Sequence, residues 1–294
     1  MSDMQGSKVW IEGHVVDGEE ARISVFDHGL LYGDGLFEGI RIYGGGVFRL
    51  KDHLRRFAAG ASALGIELPG GLEAAEAVVL ETARAYGQSE GYIRLLLTRG
   101  RGALGVDPST CENPQLICIV KAVSLYPAAK LESGLDLVTA SMRRPALDAL
   151  DPSVKSLNYL NSVLAKREAR LRGADEALLL NAGGTVAEVS VANLFVVSNG
   201  GLVTPCVADG ALPGITRASI LSLAAELGIP AEERSMGRQE LFSADEIFLT
   251  GTGARIVSVA RFDGALIRES GWGPVTQRLS DAFSEFITRH LTPF

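Results

Sequence analysis

The sequence lacks the features that mark several large classes of protein. Its three cysteines, Cys111, Cys118 and Cys206, are odd in number and do not have the spacing of metal ligands. A disulfide framework is therefore not expected, which fits a reducing compartment. No apolar run approaches the ~20 residues needed to cross a bilayer, and the short polar N-terminus does not resemble a signal peptide. These absences predict a soluble cytoplasmic enzyme or binding protein with no membrane partner.

Clusters of basic residues are also absent. The chain has 28 lysines and arginines against 35 acidic residues, a net charge of −7, and the acidic residues are spread along its length. Since nucleic-acid-binding proteins usually carry a basic patch or stripe, we expect no nucleic-acid partner. Glycine, in contrast, is abundant at 34 residues. It follows no period, and clusters such as Gly44-Gly45-Gly46 between apolar runs indicate hairpin turns.

Length and apolar content allow two domains. The chain has 294 residues, of which 47% are hydrophobic, and this is ample for a sizeable core. Residues 124–134 contain Pro127 and several polar side chains and show little periodicity. We predict that they link a small N-terminal α/β domain, residues 1–123, to a large C-terminal domain, residues 135–294.

Strands and helices are mixed along both halves without the rhythm of repeated βαβ units. The predicted strands are residues 8–16, 20–25, 36–43, 47–50, 92–98, 115–123, 135–141, 176–181, 186–197 and 246–250. The predicted helices are residues 52–64, 72–86, 158–172, 216–227 and 275–291. On helix 158–172 the apolar residues share one stripe, formed by Leu160, Val163, Leu164 and Leu171. The mixture predicts an α+β fold with antiparallel sheets and flanking helices.

Two loops have the composition of anion-binding sites. Leu212-Pro213-Gly214-Ile215-Thr216 stands directly before a predicted helix, whose free N–H groups and dipole attract phosphate. Thr250-Gly251-Thr252-Gly253 follows a predicted strand, and adjacent glycines and hydroxyls can form an anion-binding nest. Neither loop has the spacing of a Walker A or dinucleotide motif. Taken alone, each is also compatible with an ordinary helix cap or turn.

Three charged residues stand in settings that suit chemistry. Lys155 comes shortly before a predicted amphipathic helix, where the positive end of the helix dipole and partial burial favour a nucleophilic free amine. Glu188 has strand-forming neighbours, so its carboxylate points either into a polar site or to solvent. Arg56 follows Arg55 on a predicted helix. Each of the three is, by itself, also compatible with an ordinary surface charge.

Six segments together resemble the motifs of one family. They stand in the family's order, and they are Tyr32–Arg41 (YGDGLFEGIR), His53–Phe57 (HLRRF), Lys155–Asn161 (KSLNYLN), Glu188–Phe195 (EVSVANLF), Leu212–Arg217 (LPGITR) and Gly251–Ala254 (GTGA). The sequence closely resembles the bacterial and archaeal branched-chain aminotransferases, which are fold-type IV enzymes dependent on pyridoxal 5'-phosphate (PLP). The motifs extend over nearly the whole chain.

The resemblance implies a two-domain fold-type IV aminotransferase, similar to D-amino-acid aminotransferase, with PLP as its cofactor. Lys155, in the large domain, would hold PLP as a Schiff base and move a proton between the substrate Cα and C4′ of the cofactor. Glu188 would accept a hydrogen bond from the protonated pyridine nitrogen, and Tyr159 would donate one to O3′. The phosphate would be held by four residues: Arg56, Ile215, Thr216 and Thr252.

The resemblance also implies substrates, namely a branched-chain L-amino acid and 2-oxoglutarate. Tyr32 and Phe37 would form apolar walls, and the planar fork of Arg94 would bind the distal carboxylate of glutamate or 2-oxoglutarate. Val106 would cap the pocket from the partner subunit of a homodimer or higher homo-oligomer. The other implied substrate-binding residues are Arg41, Tyr92, Gly253 and Ala254.

One segment departs from the family pattern. After Gly251-Thr252 the family usually continues Ala-Ala-Glu, whereas this chain continues Gly253-Ala254-Arg255. Arg255 adds positive charge near the expected substrate pocket, as do Arg99 and Arg101. The preferred substrate therefore stays open. Three alternatives stay open. A D-amino-acid or (R)-amine transaminase and a 4-amino-4-deoxychorismate lyase share the scaffold, and the third is a non-enzymatic PLP-binding or structural protein. The retained Phe37–Arg41 and Asn158-Tyr159 favour the branched-chain type.

Overall fold

The computed structural model describes residues 5–269 and 272–294, which form two compact units. The first unit contains residues 5–123, Val154–Asn158 and Ile287–Phe294. The second contains Ser124–Ser153 and Tyr159–Phe286. The first unit thus includes two segments that are distant in sequence from its main part. The sequence-based boundaries, with a linker at residues 124–134, stay a prediction.

The first unit is built on an antiparallel sheet. Its strands are β1 (Lys8–Ile11), β2 (His14–Asp17), β3 (Gly35–Tyr43), β4 (Gly46–Phe48), β5 (Gly91–Thr98), β6 (Gln115–Lys121) and β16 (Leu291–Pro293). Its helices are α1 (His28–Tyr32), α2 (Leu50–Ala63) and α3 (Gly71–Tyr86). Among the described residues, seven strands pair in the order β16-β4-β3-β5-β6-β1-β2, and each neighbouring pair is antiparallel.

Side-chain alternation gives this sheet two different faces. On one face Ile40 and Ile42 of β3 and Ile93 and Leu95 of β5 are fully buried in a core with α2 and α3. Helices α2 and α3 and the β3–β4 hairpin confirm three predicted elements. Gly87 ends α3, and Gly44 and Gly45 form the hairpin turn. The opposite face of β3 and β5 carries the residues described below.

The second unit is built on a larger sheet. Its strands are β7 (Leu135–Arg143), β8 (Glu176–Leu180), β9 (Val186–Val189), β10 (Asn193–Ser198), β11 (Gly201–Thr204), β12 (Ala231–Glu233), β13 (Glu246–Gly251), β14 (Arg255–Phe262) and β15 (Ala265–Leu266). Its helices are α4 (Ala128–Ser133), α5 (Leu160–Leu171), α6 (Ile215–Glu226), α7 (Arg238–Phe242) and α8 (Pro274–Thr288), the last with its residues up to Phe286.

These strands form a mixed sheet. Within the part of the chain that the structure describes, nine strands follow the order β12-β11-β10-β13-β14-β7-β8-β9, with β15 paired to β14. The pairs β11–β12, β14–β7 and β7–β8 are parallel. Helix α5 lies between β7 and β8 in the chain, as a connection between parallel strands requires. The α+β class is confirmed, and the second sheet is mixed rather than wholly antiparallel.

Three local strand predictions are wrong because the pairing of strands overrides the sequence pattern. The strand predicted over residues 8–16 is a hairpin that turns at Glu12-Gly13, where both residues adopt positive φ. Residues 20–25 form no strand. The long strand predicted over residues 186–197 is divided into β9 and β10 by a turn at residues 190–192.

Helix α5 turns its apolar stripe away from the core of the second unit. Leu160, Val163, Leu164 and Leu171 are exposed, with Leu171 at 73%. The buried face consists instead of small residues, Ser162, Ala165 and Ala169, which allow the helix to approach β7 and β8 closely. Among the described helices, none is long and apolar enough to cross a membrane.

Candidate active site

Lys155 is held in the first unit by the edge of a strand. Phe37 N donates to Lys155 O at 2.9 Å, and Leu157 N donates to Gly35 O at 2.9 Å. Residues 154–157 thereby run beside the first half of β3, where β4 does not pair because it reaches only Ile42 and Tyr43. Backbone pairing therefore fixes the position of Lys155. Its half-buried amine, Nζ, lies 4.5 Å from the centre of the Phe37 ring.

Four of the predicted substrate residues share the face of the first sheet that lies opposite its core. Strand pairing sets Arg41 directly across from Tyr92, and Gly39 across from Arg94. Phe37 is two positions from Gly39 on the same strand, so it lies on the same face. The structure therefore places Phe37, Arg41, Tyr92 and Arg94 on one face of the sheet. Aromatic rings can contact an apolar substrate side chain, and arginines can bind a carboxylate.

Phe37 lies against two cationic groups. The Arg94 guanidinium carbon is 4.3 Å from the centre of the Phe37 ring, within cation–π range, as is Lys155 Nζ. Arg94 Nη2 also donates to the Tyr92 hydroxyl at 3.3 Å. A Cβ at Gly39 would stand 2.0 Å from that hydroxyl, so only glycine leaves room for it. An amine and a carboxylate-binding group thus share one aromatic neighbour.

Arg41 and two further predicted residues of the first unit, Tyr32 and Val106, have partners or exposure of their own. Arg41 forms an ion pair with Glu90 at 3.6 Å and stacks on Tyr43. The Tyr32 hydroxyl, at the end of α1, accepts a hydrogen bond from Gly105 N at 2.8 Å. The next residue, Val106, is 81% exposed. Tyr32 therefore ties down the loop that presents Val106.

A buried charge cluster in the first unit was missed from the sequence. The Glu38 carboxylate accepts from Arg56 Nε at 2.7 Å, from Arg56 Nη2 at 2.8 Å and from His53 Nδ1 at 2.8 Å. Burial by itself would raise the pKa of Glu38, but the charges of Arg56 and His53 lower it to about 2. Burial also lowers the pKa of His53, against the opposing pull of Glu38. The sequence did contain one indication of this cluster, because Glu38 is a charged residue at an inward-facing position of an apolar strand.

The second unit holds Glu188 in a fixed orientation. Glu188 Oε1 lies 2.7 Å from Arg144 Nη2. Its Oε2 accepts from Asn193 Nδ2 at 3.1 Å and from Leu212 N at 3.0 Å. Glu188 is buried, with 5% of its surface exposed. Both oxygens are therefore bound, and the arrangement suits an ionised carboxylate that accepts from a further buried N–H group.

Arg144 was missed from the sequence. It directly follows Arg143 at the end of β7, and nothing in the local pattern separates the exposed Arg143 from the buried Arg144. Arg144 N donates to Leu180 O at 2.9 Å, and its Nε donates to Gly210 O at 2.9 Å. Leu180 thus holds the backbone of Arg144, while Gly210 and Glu188 hold its guanidinium.

Helix α6 begins at the first predicted phosphate loop. Gly214 is its N-cap, and Ile215 and Thr216 are its first helical residues. Thr216 is buried, and its hydroxyl has no hydrogen-bond partner among the described residues. A Cβ at Gly214 would come within 2.0 Å of Asn193 Oδ1, so this loop requires glycine there. A buried hydroxyl at the start of a helix fits a phosphate oxygen.

The second predicted loop is the turn between β13 and β14. Thr252, Gly253 and Ala254 form this turn and are half-buried. Arg255 has a left-handed φ of 62° and donates from Nη2 to Ser284 Oγ at 2.8 Å. Its side chain is therefore attached to helix α8.

Three other residues noted in the sequence, Arg99, Tyr159 and Arg101, have structural settings of their own. Arg99 pairs with Asp34 and donates to the carbonyls of Leu64 and Gly65 at the end of α2. Arg99 thus caps a helix. Tyr159 is the N-cap residue of α5 and is half-buried in the second unit. Arg101 is exposed.

Comparisons with known proteins agree with this geometry. The family model described as amino-transferase class IV matches residues 35–262. The chain is 46% identical over 282 residues to a putative branched-chain-amino-acid aminotransferase of Methanocaldococcus jannaschii, covering 96% of this chain and 97% of that protein. It also resembles the crystal structure of the Escherichia coli branched-chain amino acid aminotransferase, with a TM-score of 0.92, 35% identity and coverage of 97% and 96%.

A third relative was solved with a phosphopyridoxyl adduct. This branched-chain amino acid aminotransferase from T.th., complexed with N-(5'-phosphopyridoxyl)-L-glutamate, has a TM-score of 0.92 and 36% identity, and the likeness covers 99% of both chains. Agreement over nearly the full length of each chain extends to both units of this one.

Proposed function

Because the chain belongs to the branched-chain aminotransferases of the class IV family, we propose that it transfers the amino group of L-leucine, L-isoleucine or L-valine to 2-oxoglutarate through Lys155. Class IV aminotransferases use PLP, and this chain is a PLP-dependent aminotransferase. One observation carries the residue assignment: Lys155 Nζ and the Arg94 guanidinium both lie on the Phe37 ring. This arrangement supports a substrate that carries both an amino group and a carboxylate.

The second unit carries groups that fit PLP. The Thr216 hydroxyl, buried without a partner among the described residues, and the helix start at Ile215 suit its phosphate. The bound carboxylate of Glu188 suits its pyridine nitrogen. When bound, PLP supplies an electron-accepting ring that stabilises negative charge at the substrate Cα. In the same proposal Thr252 and Arg56 also bind the phosphate, and Tyr159 donates to O3′.

Lys155 performs the proton transfer in this proposal. Its amine would hold PLP through the cofactor aldehyde until the substrate amine takes its place. The free lysine amine would then act as the base that moves a proton from the substrate Cα to C4′ of the cofactor. The backbone bonds to Phe37 and Gly35 keep the base in one place through both steps.

The residues of the first sheet support the choice of substrates. Phe37 and Tyr32 offer apolar surface to a branched side chain, and Arg94 offers a planar donor to the distal carboxylate of glutamate. The relative from T.th. was solved with N-(5'-phosphopyridoxyl)-L-glutamate, which supports glutamate as the other amino donor. Arg41, Tyr92, Gly253 and Ala254 complete the proposed set.

The exposed loop that contains Val106 supports a homodimer. Val106 and Leu104 are largely exposed, and large apolar side chains grouped on a surface commonly mark an interface. We propose that Val106 caps the substrate pocket of the partner subunit and that the enzyme acts in the cytoplasm. Light scattering should give at least twice the chain mass of 31.1 kDa; the mass of a single chain would contradict the dimer.

A stereochemical assay tests the proposed reaction. The purified chain, loaded with PLP, is assayed in parallel with L-leucine and D-alanine, with 2-oxoglutarate as the acceptor. Formation of L-glutamate from 2-oxoglutarate, with L-leucine as the amino donor, is expected. Turnover of D-alanine without turnover of L-leucine would overturn the proposal, as would release of pyruvate from 4-amino-4-deoxychorismate without an acceptor.

A further inference from the structure

Arg144 holds the carboxylate that is proposed to bind the cofactor nitrogen. Arg144 Nη2 lies 2.7 Å from Glu188 Oε1, and both side chains are buried. Nε donates to Gly210 O, and a Cβ at Gly210 would come within 3.0 Å of Arg144 Cγ. The guanidinium therefore has a single position, fixed by the backbone and by close packing.

The two oxygens of Glu188 have different kinds of partner. Oε2 accepts from the neutral donors Asn193 Nδ2 and Leu212 N. Oε1 has the full positive charge of Arg144 at hydrogen-bond distance. Arginine stays protonated in proteins, and a charge pair interacts more strongly in a buried site than in water. The positive charge therefore acts on Glu188 at every working pH.

We propose that Arg144 is a positioning residue that lowers the proton affinity of Glu188 and so keeps the shared proton on the pyridine nitrogen of PLP. The inference rests on the proposed role of Glu188. A buried carboxylate and a pyridine nitrogen compete for one proton, and desolvation favours the neutral carboxylic acid. A fixed cation beside the carboxylate opposes this preference. The proton then remains on the ring, which is the form that accepts electrons from the substrate Cα.

Removal of the Arg144 charge should shift the shared proton from the pyridine nitrogen of PLP toward Glu188. In Arg144→Gln the glutamate gains proton affinity, so the proton passes from the ring nitrogen to a Glu188 oxygen and the ring becomes neutral. The turnover number should fall by about tenfold for each unit of pKa by which the balance moves. Arg144→Lys retains a positive charge, so it should keep the proton on nitrogen and recover much of the lost activity.

Nitrogen NMR on the full-length chain tests the proposal. The chain is loaded with PLP that carries ¹⁵N in its ring, and the ring signal is compared between the parent, Arg144→Gln, Arg144→Lys and Glu188→Gln. The parent and Arg144→Lys should show the protonated signal. Arg144→Gln and Glu188→Gln should move toward the unprotonated value.

A matched control separates charge from stability. Arg217 is also buried and pairs with a carbonyl and a carboxylate, those of Pro205 and Glu233, but it is not bonded to Glu188. Arg217→Gln should lower the melting temperature without moving the ring signal. If Glu188→Gln moves the signal and Arg144→Gln does not, the inference fails and the role of Glu188 stands. If neither moves it, the proposed role of Glu188 fails as well. A Lys variant with an unprotonated ring would also overturn the inference.

Discussion

Arg56 and Glu38 form a bidentate ion pair inside the first unit. Arg56 Nε lies 2.7 Å from Glu38 Oε1, and Arg56 Nη2 lies 2.8 Å from Oε2. Two parallel bonds of this kind fix the plane of the guanidinium. Arg56 is the residue proposed to hold the cofactor phosphate, so Glu38 determines how that group is presented.

Loss of Glu38 should therefore reduce both stability and cofactor retention. Glu38→Gln removes the buried carboxylate that pairs with the half-buried guanidinium of Arg56, which should cost at most about 3–5 kcal/mol of unfolding free energy. The change is measured by urea denaturation, and PLP retention by dialysis. Asp52→Asn, which removes more exposed pairs with Arg49 and Arg55, should cost less than about 1 kcal/mol. Equal effects of the two changes would contradict the assigned burial.

Stability should fall on acidification. The pKa of Glu38 is lowered from 4.5 to about 2 and that of His53 is lowered from 6.5, so the unfolded chain takes up these protons first. The contribution of His53 is complete above pH 6.5 and declines below it. That of Glu38 is complete above pH 4.5 and is lost as the pH falls toward 2. Urea denaturation between pH 7 and 3 should show this slope, and Glu38→Gln should flatten its acidic part. An increase in stability between pH 6 and 4 would refute the prediction.

The Thr216 hydroxyl should matter only when PLP is bound. In Thr216→Val the buried oxygen that lacks a partner among the described residues is lost, so the chain without PLP should be as stable or more stable. Loss of a hydrogen bond to a charged phosphate, worth about 1.5–3 kcal/mol, should weaken PLP binding by roughly 10- to 100-fold. Thr204→Val removes a buried bond to Leu194 O. It should lower stability and leave PLP affinity unchanged. Unchanged PLP affinity in Thr216→Val would exclude the phosphate role.

Arg94 should distinguish the two substrates. Arg94→Gln should raise KM for glutamate and 2-oxoglutarate by at least about tenfold, because a charge-assisted bond to the distal carboxylate is lost. The half-reaction with L-leucine, which has no distal carboxylate, should change less. Arg99→Gln removes a helix cap and an ion pair, so it should lower stability without changing this preference. Equal losses for leucine and glutamate in Arg94→Gln would remove Arg94 from the distal-carboxylate role.

Lys155→Ala should abolish turnover. The variant should also lose the visible absorption band of PLP bound to the lysine, because that band requires a bond to the lysine amine. Lys51→Ala, an exposed lysine on α2, should retain both turnover and absorption. A spectrum unchanged by Lys155→Ala would show that another amine binds the cofactor.

Features that depend on residues close together in the sequence were predicted correctly, whereas features that depend on distant residues were not. Helices α2 and α3 and the β3–β4 hairpin were predicted because their periodicity and turn glycines are local. The parallel pairing of β7 with β8 was not, because it depends on residues more than thirty positions apart. The stripe on α5 has the right period, yet the helix buries Ser162, Ala165 and Ala169. Small residues pack closely on a sheet, and hydrophobicity by itself does not reveal that choice.

The candidate residues divide in the same way. The motifs around Lys155, Glu188 and Thr216 identified the family and the cofactor, since the chemistry demands those residue types in fixed local contexts. Arg144 has no such context. It is one of two adjacent arginines, and only the approach of Glu188 and Gly210 distinguishes it from Arg143.

The amino-acid sequence by itself determined the family and the cofactor and predicted the lysine that would hold it, because these depend on short motifs with specific residue types. The tertiary structure decided which charges are paired and buried. It attached Arg99 to the end of α2, Arg255 to Ser284 and Arg144 to Glu188. The reason is physical: the effect of a charge depends on its distance to its partner and on its exclusion from water, and chain folding sets both.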